Sequence, residues 1–169
     1  MRVFTLSMVL ACHAIVSVAQ LDASRSQYFN AGMNDDARTN YYNLTRSLNE
    51  SIAIERAYKG VASAMYAAVL YNPADKLSHF DQGKTWLESA IEMEKWNPEI
   101  RFLRFCVQAN APFMLGYDDN LEDDANIILQ GLESGRCNRY DYYWKNAVTF
   151  MINSDELSSS QEQRIAAFK

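Results

Sequence analysis

Residues 97–117 read NPEIRFLRFCVQANAPFMLGY. On a helix turning about 100° per residue, Asn97, Arg101, Arg104 and Gln108 fall in one narrow stripe. Ile100, Phe102, Leu103, Phe105, Cys106, Val107 and Ala109 cover most of the remaining circumference. A helix apolar on so many sides is a buried one, so the stretch predicts a central helix with the others packed around it. Its start is explicit: Asn97 is suited to cap, Pro98 to the first helical position and Glu99 to the first turn. Ala111-Pro112 ends it near Asn110, because proline pushes the residue before it out of the helical region.

Upstream, Ile52–Tyr71 and Ala74–Trp96 read as two further helices parted by Asn72-Pro73. The first mixes small Ala57, Gly60, Ala64, Ala67 and Ala68 with large Tyr58, Val61, Met65 and Val69. The second carries Gly83 in its apolar face beside Phe80 and Leu87. A glycine inside a helix costs about 1 kcal/mol against alanine, so Gly60 and Gly83 point to a close helix crossing that offsets it. Before them, Asp35 and Asp36 open an amphipathic helix with Tyr41, Leu44 and Leu48 on one face. Residues 20–34 have few apolar anchors and are expected to be a weakly ordered N-terminal segment.

Downstream, Asp119 and Glu122 have the spacing of a capping box before a helix with Leu121, Ala125, Ile128, Leu129 and Leu132 on one side. Ser134-Gly135 closes it, and Tyr140–Met151 continues the helical period. Residues 153–169 are polar with a thin stripe of Leu157, Ile165 and Phe168, which predicts a loosely docked last helix or tail. No strand-type alternation occurs. The expected fold is all-α, with six or seven helices in stacked antiparallel αα-hairpins of tetratricopeptide-like or irregular bundle type, the helical domain spanning residues 35–152.

The 169-residue chain is 49% hydrophobic and 22% charged, enough apolar material for a core. Arg2, the apolar run Val3–Val18 and the small residues Ser17-Val18-Ala19 read as a signal peptide over residues 1–19, cleaved before Gln20. Cys12 offers a lipidation site as a minor alternative. Loss of Arg2 leaves 15 basic against 21 acidic residues, a net charge of −6. Such a balance disfavours nucleic acid and anionic membranes as partners. In an exported chain Cys106 and Cys137 are allowed to bridge, which would contribute about 3 to 4 kcal/mol in the chain-entropy model, or to stay as buried thiols.

Chemistry is harder to find. Read as a calcium loop from Asp118, the acidic run reaches Asp123 where glycine is required and Leu129 where a bidentate glutamate should stand, so no metal site is assigned. His79 is the one histidine after the leader, and no HExxH, GxSxG, CxxC pair or glycine-rich phosphate loop accompanies it, so no cofactor is assigned. Arg101 and Arg104 carry two readings. In one they pair with Glu88, Glu92, Glu99 or the acids of 118–124 as a structural network; in the other, with Gln108 and Tyr117, they bind a small anion.

Tyr58 and Gly60, Pro73, Lys76, Phe80, Gly83, Ala90-Ile91 and then the run from Asn97 to Tyr117 resemble a family of short exported bacterial proteins of unassigned function. The likeness covers Ala57 to Leu129, under half the chain. It implies an envelope or secreted protein and no particular activity. The expected function is therefore a non-enzymatic, exported helical module, structural or protein-binding, with no transmembrane span in the mature chain. The alternative is an anionic-ligand binder or hydrolase around Arg101, Arg104, Gln108 and Tyr117.

Overall fold

The computed structural model describes residues 18–169, and they form eight α-helices with no strand among them. They are α1 (18–31), α2 (Asp35–Thr45), α3 (Ala53–Ala67), α4 (Pro73–Met93), α5 (Pro98–Asn110), α6 (Leu121–Glu133), α7 (Tyr142–Asn153) and α8 (Ser159–Ile165). The all-α class is as expected, with one or two more helices. The leader read over residues 1–19 falls, up to residue 17, outside the described residues.

Helix α5 is the axis. Asn97 accepts from the backbone N–H groups of Glu99 and Ile100, Pro98 occupies the first turn, and every residue from Ile100 to Gln108 is buried. Helices α3 and α4 form an antiparallel hairpin, since partner numbers rise on one helix as they fall on the other: Arg56 with Ser89, Lys59 with Trp86, Ser63 with His79. At its crossing Gly60 faces Gly83. A methyl group on Gly83 would lie 2.6 Å from the Gly60 carbonyl oxygen and 2.8 Å from the Ala64 nitrogen, and one on Gly60 would lie 2.9 Å from the Gly83 carbonyl oxygen. Backbone meets backbone there, which only glycine permits. Gly131 of α6 is equally confined, against the Cys137 sulfur and Pro98.

Residues 20–34, expected to be weakly ordered, are instead mostly helix α1. Leu21, Ser24, Tyr28 and Ala31 recur at helical spacing on its inner side, and Ser24, Tyr28 and Ala31 are buried. Two of these are small, so a scan for hydrophobic residues undercounts the face. Tyr28 contacts the rings of Phe29, Tyr41, Tyr58, Phe102 and Tyr143, which ties α1 to four other helices. Arg25 adds a bidentate pair to Glu99, at 2.7 and 2.9 Å, and the Tyr58 hydroxyl donates to the same carboxylate at 2.7 Å.

The C-terminal expectation is corrected as well. Helix α8 is held by polar contacts as much as by Ile165: buried Gln161 donates to the Glu122 carbonyl, and Arg164 grips Glu133 bidentately and reaches Asn126. Gln161 also closes a capping box with Ser158. The capping box expected from Asp119 does not form, because α6 begins one residue later, at Leu121 after Asn120, and no side chain caps it. Its first turn is stabilised by the charges of Glu122, Asp123 and Asp124.

Candidate binding site

The two sides of α5 lead to different places. On the polar side, the Asp124 carboxylate is completely buried and takes Arg101 Nη1 and Arg104 Nη2 on one oxygen and Arg104 Nε on the other, each at 2.8 Å. Arg104 Nη1 donates to Glu88 at 2.7 Å, and the other Glu88 oxygen accepts from the Tyr117 hydroxyl at 2.7 Å. Arg101 Nε is taken by the Lys95 carbonyl. Two cations thus meet two carboxylates. Burial pulls the Arg104 pKa down, but the hydrogen bond and charge of Asp124 and the charge of Glu88 outweigh it and raise it. Burial and the bond to Glu88 push the Tyr117 phenol well up, so it stays a donor. Glu99, one of the acids weighed for these arginines, serves Arg25 and Tyr58 instead.

Gln108 continues the stripe one turn further. It is 3% exposed, and among the described residues neither end of its amide finds a hydrogen-bond partner. Sequence reasoning grouped Arg101, Arg104, Gln108 and Tyr117 as one anion site. The fold brings Arg101, Arg104 and Tyr117 into one network whose two positive charges are met by the carboxylates of Asp124 and Glu88.

On the other side of α5 lies a pocket of about 790 Å3. Tyr28 and Phe29 of α1, Val61 and Met65 of α3, Phe80 of α4 and Phe150 of α7 make its apolar walls, with Cys106 and Val107 of α5. Ala64, Ala67, Ala68, Ala111 and Gly32 leave the space. The short 3-10 turn Phe113–Leu115 and the start of α4 form the rim, where Leu77 and Met114 are exposed. Arg101, Arg104, Gln108 and Tyr117 do not line it. Its polar lining is Arg38, Lys76 and Asn110. Arg38 is fixed by Asp35 at 2.7 Å and by the Gly32 carbonyl at 3.0 Å; Asn110 donates to the Cys106 carbonyl; the Lys76 side chain makes no hydrogen bond or ion pair with another described residue. The sequence signal for this cleft is the apolar Phe113-Met114-Leu115 run in a connection between helices.

Other candidate chemistry is occupied or blocked. Ser63 is buried, and its hydroxyl donates to the His79 carbonyl at 2.9 Å, so the 3.2 Å contact with His79 Nδ1 does not prime it as a nucleophile. Cys106 and Cys137 are free thiols, not the allowed bridge. Cys137 packs on Gly131 and Pro98 at the start of α5, whereas Cys106 sits eight residues along that helix, about 12 Å further. Burial pushes the Cys137 thiol up to about 12 and Cys106 higher still, so neither is a thiolate at neutral pH. Among the described residues no three His, Cys, Asp or Glu side chains gather as metal ligands, and no helix is long and apolar enough to cross a membrane. No family model, no curated protein and no solved structure matches the chain.

Proposed function

We propose that the protein is a non-enzymatic binding module, exported and acting outside the cytoplasm, whose working surface is the apolar cleft beside α5. The observation that carries this is the cleft itself: about 790 Å3, walled by aromatic and aliphatic side chains from five helices, with a few polar groups. Its size falls in the range of about 300 to 1,000 Å3 typical of ligand pockets. The arginines, by contrast, have their charge neutralised within the fold, which argues against an anion site or a hydrolase there. Export rests on the apolar leader and on the resemblance to short exported bacterial proteins.

A neutral apolar dye such as N-phenylnaphthylamine tests the cleft. Its fluorescence is expected to rise on binding and to be lost in Ala68→Trp, which places a large ring at the exposed end of α3 where the cleft opens. Equal dye binding by the variant would remove the cleft from the proposal. Export is tested by the mass of the protein recovered outside the cytoplasm, expected to begin at Gln20.

A second reading has one observation in its favour. Phe113 and Met114, at 91% and 88% exposure, present large apolar side chains at the rim, as a protein-docking edge would.

A further inference from the structure

The cleft's shape and charge narrow its occupant, given the reading above that it is a binding site. Val61, Tyr28, Cys106 and Val107 line the cleft with only 1 to 6% of their surface exposed, so each offers a sliver of wall rather than a broad face. A helix about 10 to 12 Å across needs a broad apolar face to seat on, whereas an alkyl chain does not. The polar lining is too sparse for a sugar or nucleotide, which need several converging hydrogen-bonding groups. The chain as a whole is acidic, with a net charge of −5, yet both charged residues on the cleft wall are cations, Arg38 paired with Asp35 and Lys76 without such a partner among the described residues. Lys76 is exposed and unpaired among the described residues, which places a positive charge at the mouth. We infer that the cleft binds a free long-chain carboxylic acid, its alkyl chain along the apolar walls and its carboxylate at the mouth, beside Lys76.

The affinity of such a ligand grows with each methylene buried and gains from a head of negative charge. Displacement of N-phenylnaphthylamine from the purified protein by saturated carboxylates from octanoate to octadecanoate measures both. Each added methylene is expected to tighten binding by about fourfold until the cleft is full, after which the gain stops. Hexadecanoate is expected to bind about fivefold more tightly than hexadecanol, a margin that shrinks with added salt and disappears in Lys76→Glu. Lys76 is a surface residue, so circular dichroism should find that variant folded.

Equal affinities for hexadecanoate and hexadecanol, or tighter binding of hexadecyltrimethylammonium, would overturn the carboxylate assignment. So would an acidic amphipathic peptide or a lysophospholipid that displaces the dye where the free acids do not. Dye binding without displacement by any carboxylate defeats this inference and leaves the binding module standing; no dye binding by the wild type defeats both.

Discussion

The two sides of helix α5 use the same few turns of chain for opposite ends. Toward α4 and α6 it presents Arg101 and Arg104, and the space is closed by Asp124, Glu88 and Tyr117. Toward α1, α3 and α7 it presents Cys106 and Val107, and the space stays open as a cleft. The charged side looks functional in a sequence because buried charge is rare. In the fold it is the side whose two guanidinium charges are already met by Asp124 and Glu88, since a buried guanidinium is tolerable only when carboxylates surround it. The apolar side carries no catalytic or metal-binding motif, and it is where the open space lies.

The largest expected effect tests that division directly. Asp124→Ala strands two guanidiniums inside the protein and should lower stability by about 3 to 5 kcal/mol, read from urea unfolding midpoints. Leu77→Asp on the exposed rim of the cleft should change stability by less than about 0.5 kcal/mol. A similar cost for the two would erase the distinction between a structural and an available side.

High pH should strike the apolar side next. Burial raises the phenols of Tyr28, Tyr41, Tyr58 and Tyr143 well above their ordinary value, and raises Cys106 in the same way. A group whose folded pKa is raised contributes stability that is complete below its unfolded pKa and is lost as pH climbs toward the folded value. The window therefore opens near pH 9 for the thiols and near pH 10 for the phenols. Above it each such group should remove about 1.4 kcal/mol per pH unit. Thermal unfolding at stepped pH checks this: flat from neutral to about pH 9, then a steep fall. A flat profile to pH 11 would mean that these hydroxyls are not buried together.

The smallest effect concerns the end of the polar stripe. Gln108→Met keeps the volume and removes an amide with no described partner, so it should gain about 1 kcal/mol. A loss instead would place an ordered water between Gln108 and its neighbours, and would extend the charged network by a turn.

Much of the helix layout was legible. The Asn97-Pro98-Glu99 start is a local matter of capping and fixed φ, and α5 does begin at Pro98 with Asn97 as its cap. Gly60 and Gly83 read as a close crossing because a glycine within a helix is costly unless a backbone fills the space, and the two face each other. Helix α1 was missed because its inner face is built from Ser24 and Ala31 around one tyrosine, and its stability comes from partners in α2, α3, α5 and α7. Helix α8 was underrated for a related reason: its contacts are Gln161 and Arg164, polar residues whose partners in α6 lie more than thirty positions away.

By itself the sequence determined the all-α class, the central place of α5 and the polar stripe upon it, because capping, proline placement and 3.6-residue periodicity act within a few residues. Tertiary structure alone decided which acids answer the arginines: the choice of Asp124 and Glu88 over Glu92 and Glu99 depends on where α4 and α6 meet α5. It also decided where the open space lies. A cleft is the volume left when several helices fail to meet, and no residue in any one of them records it.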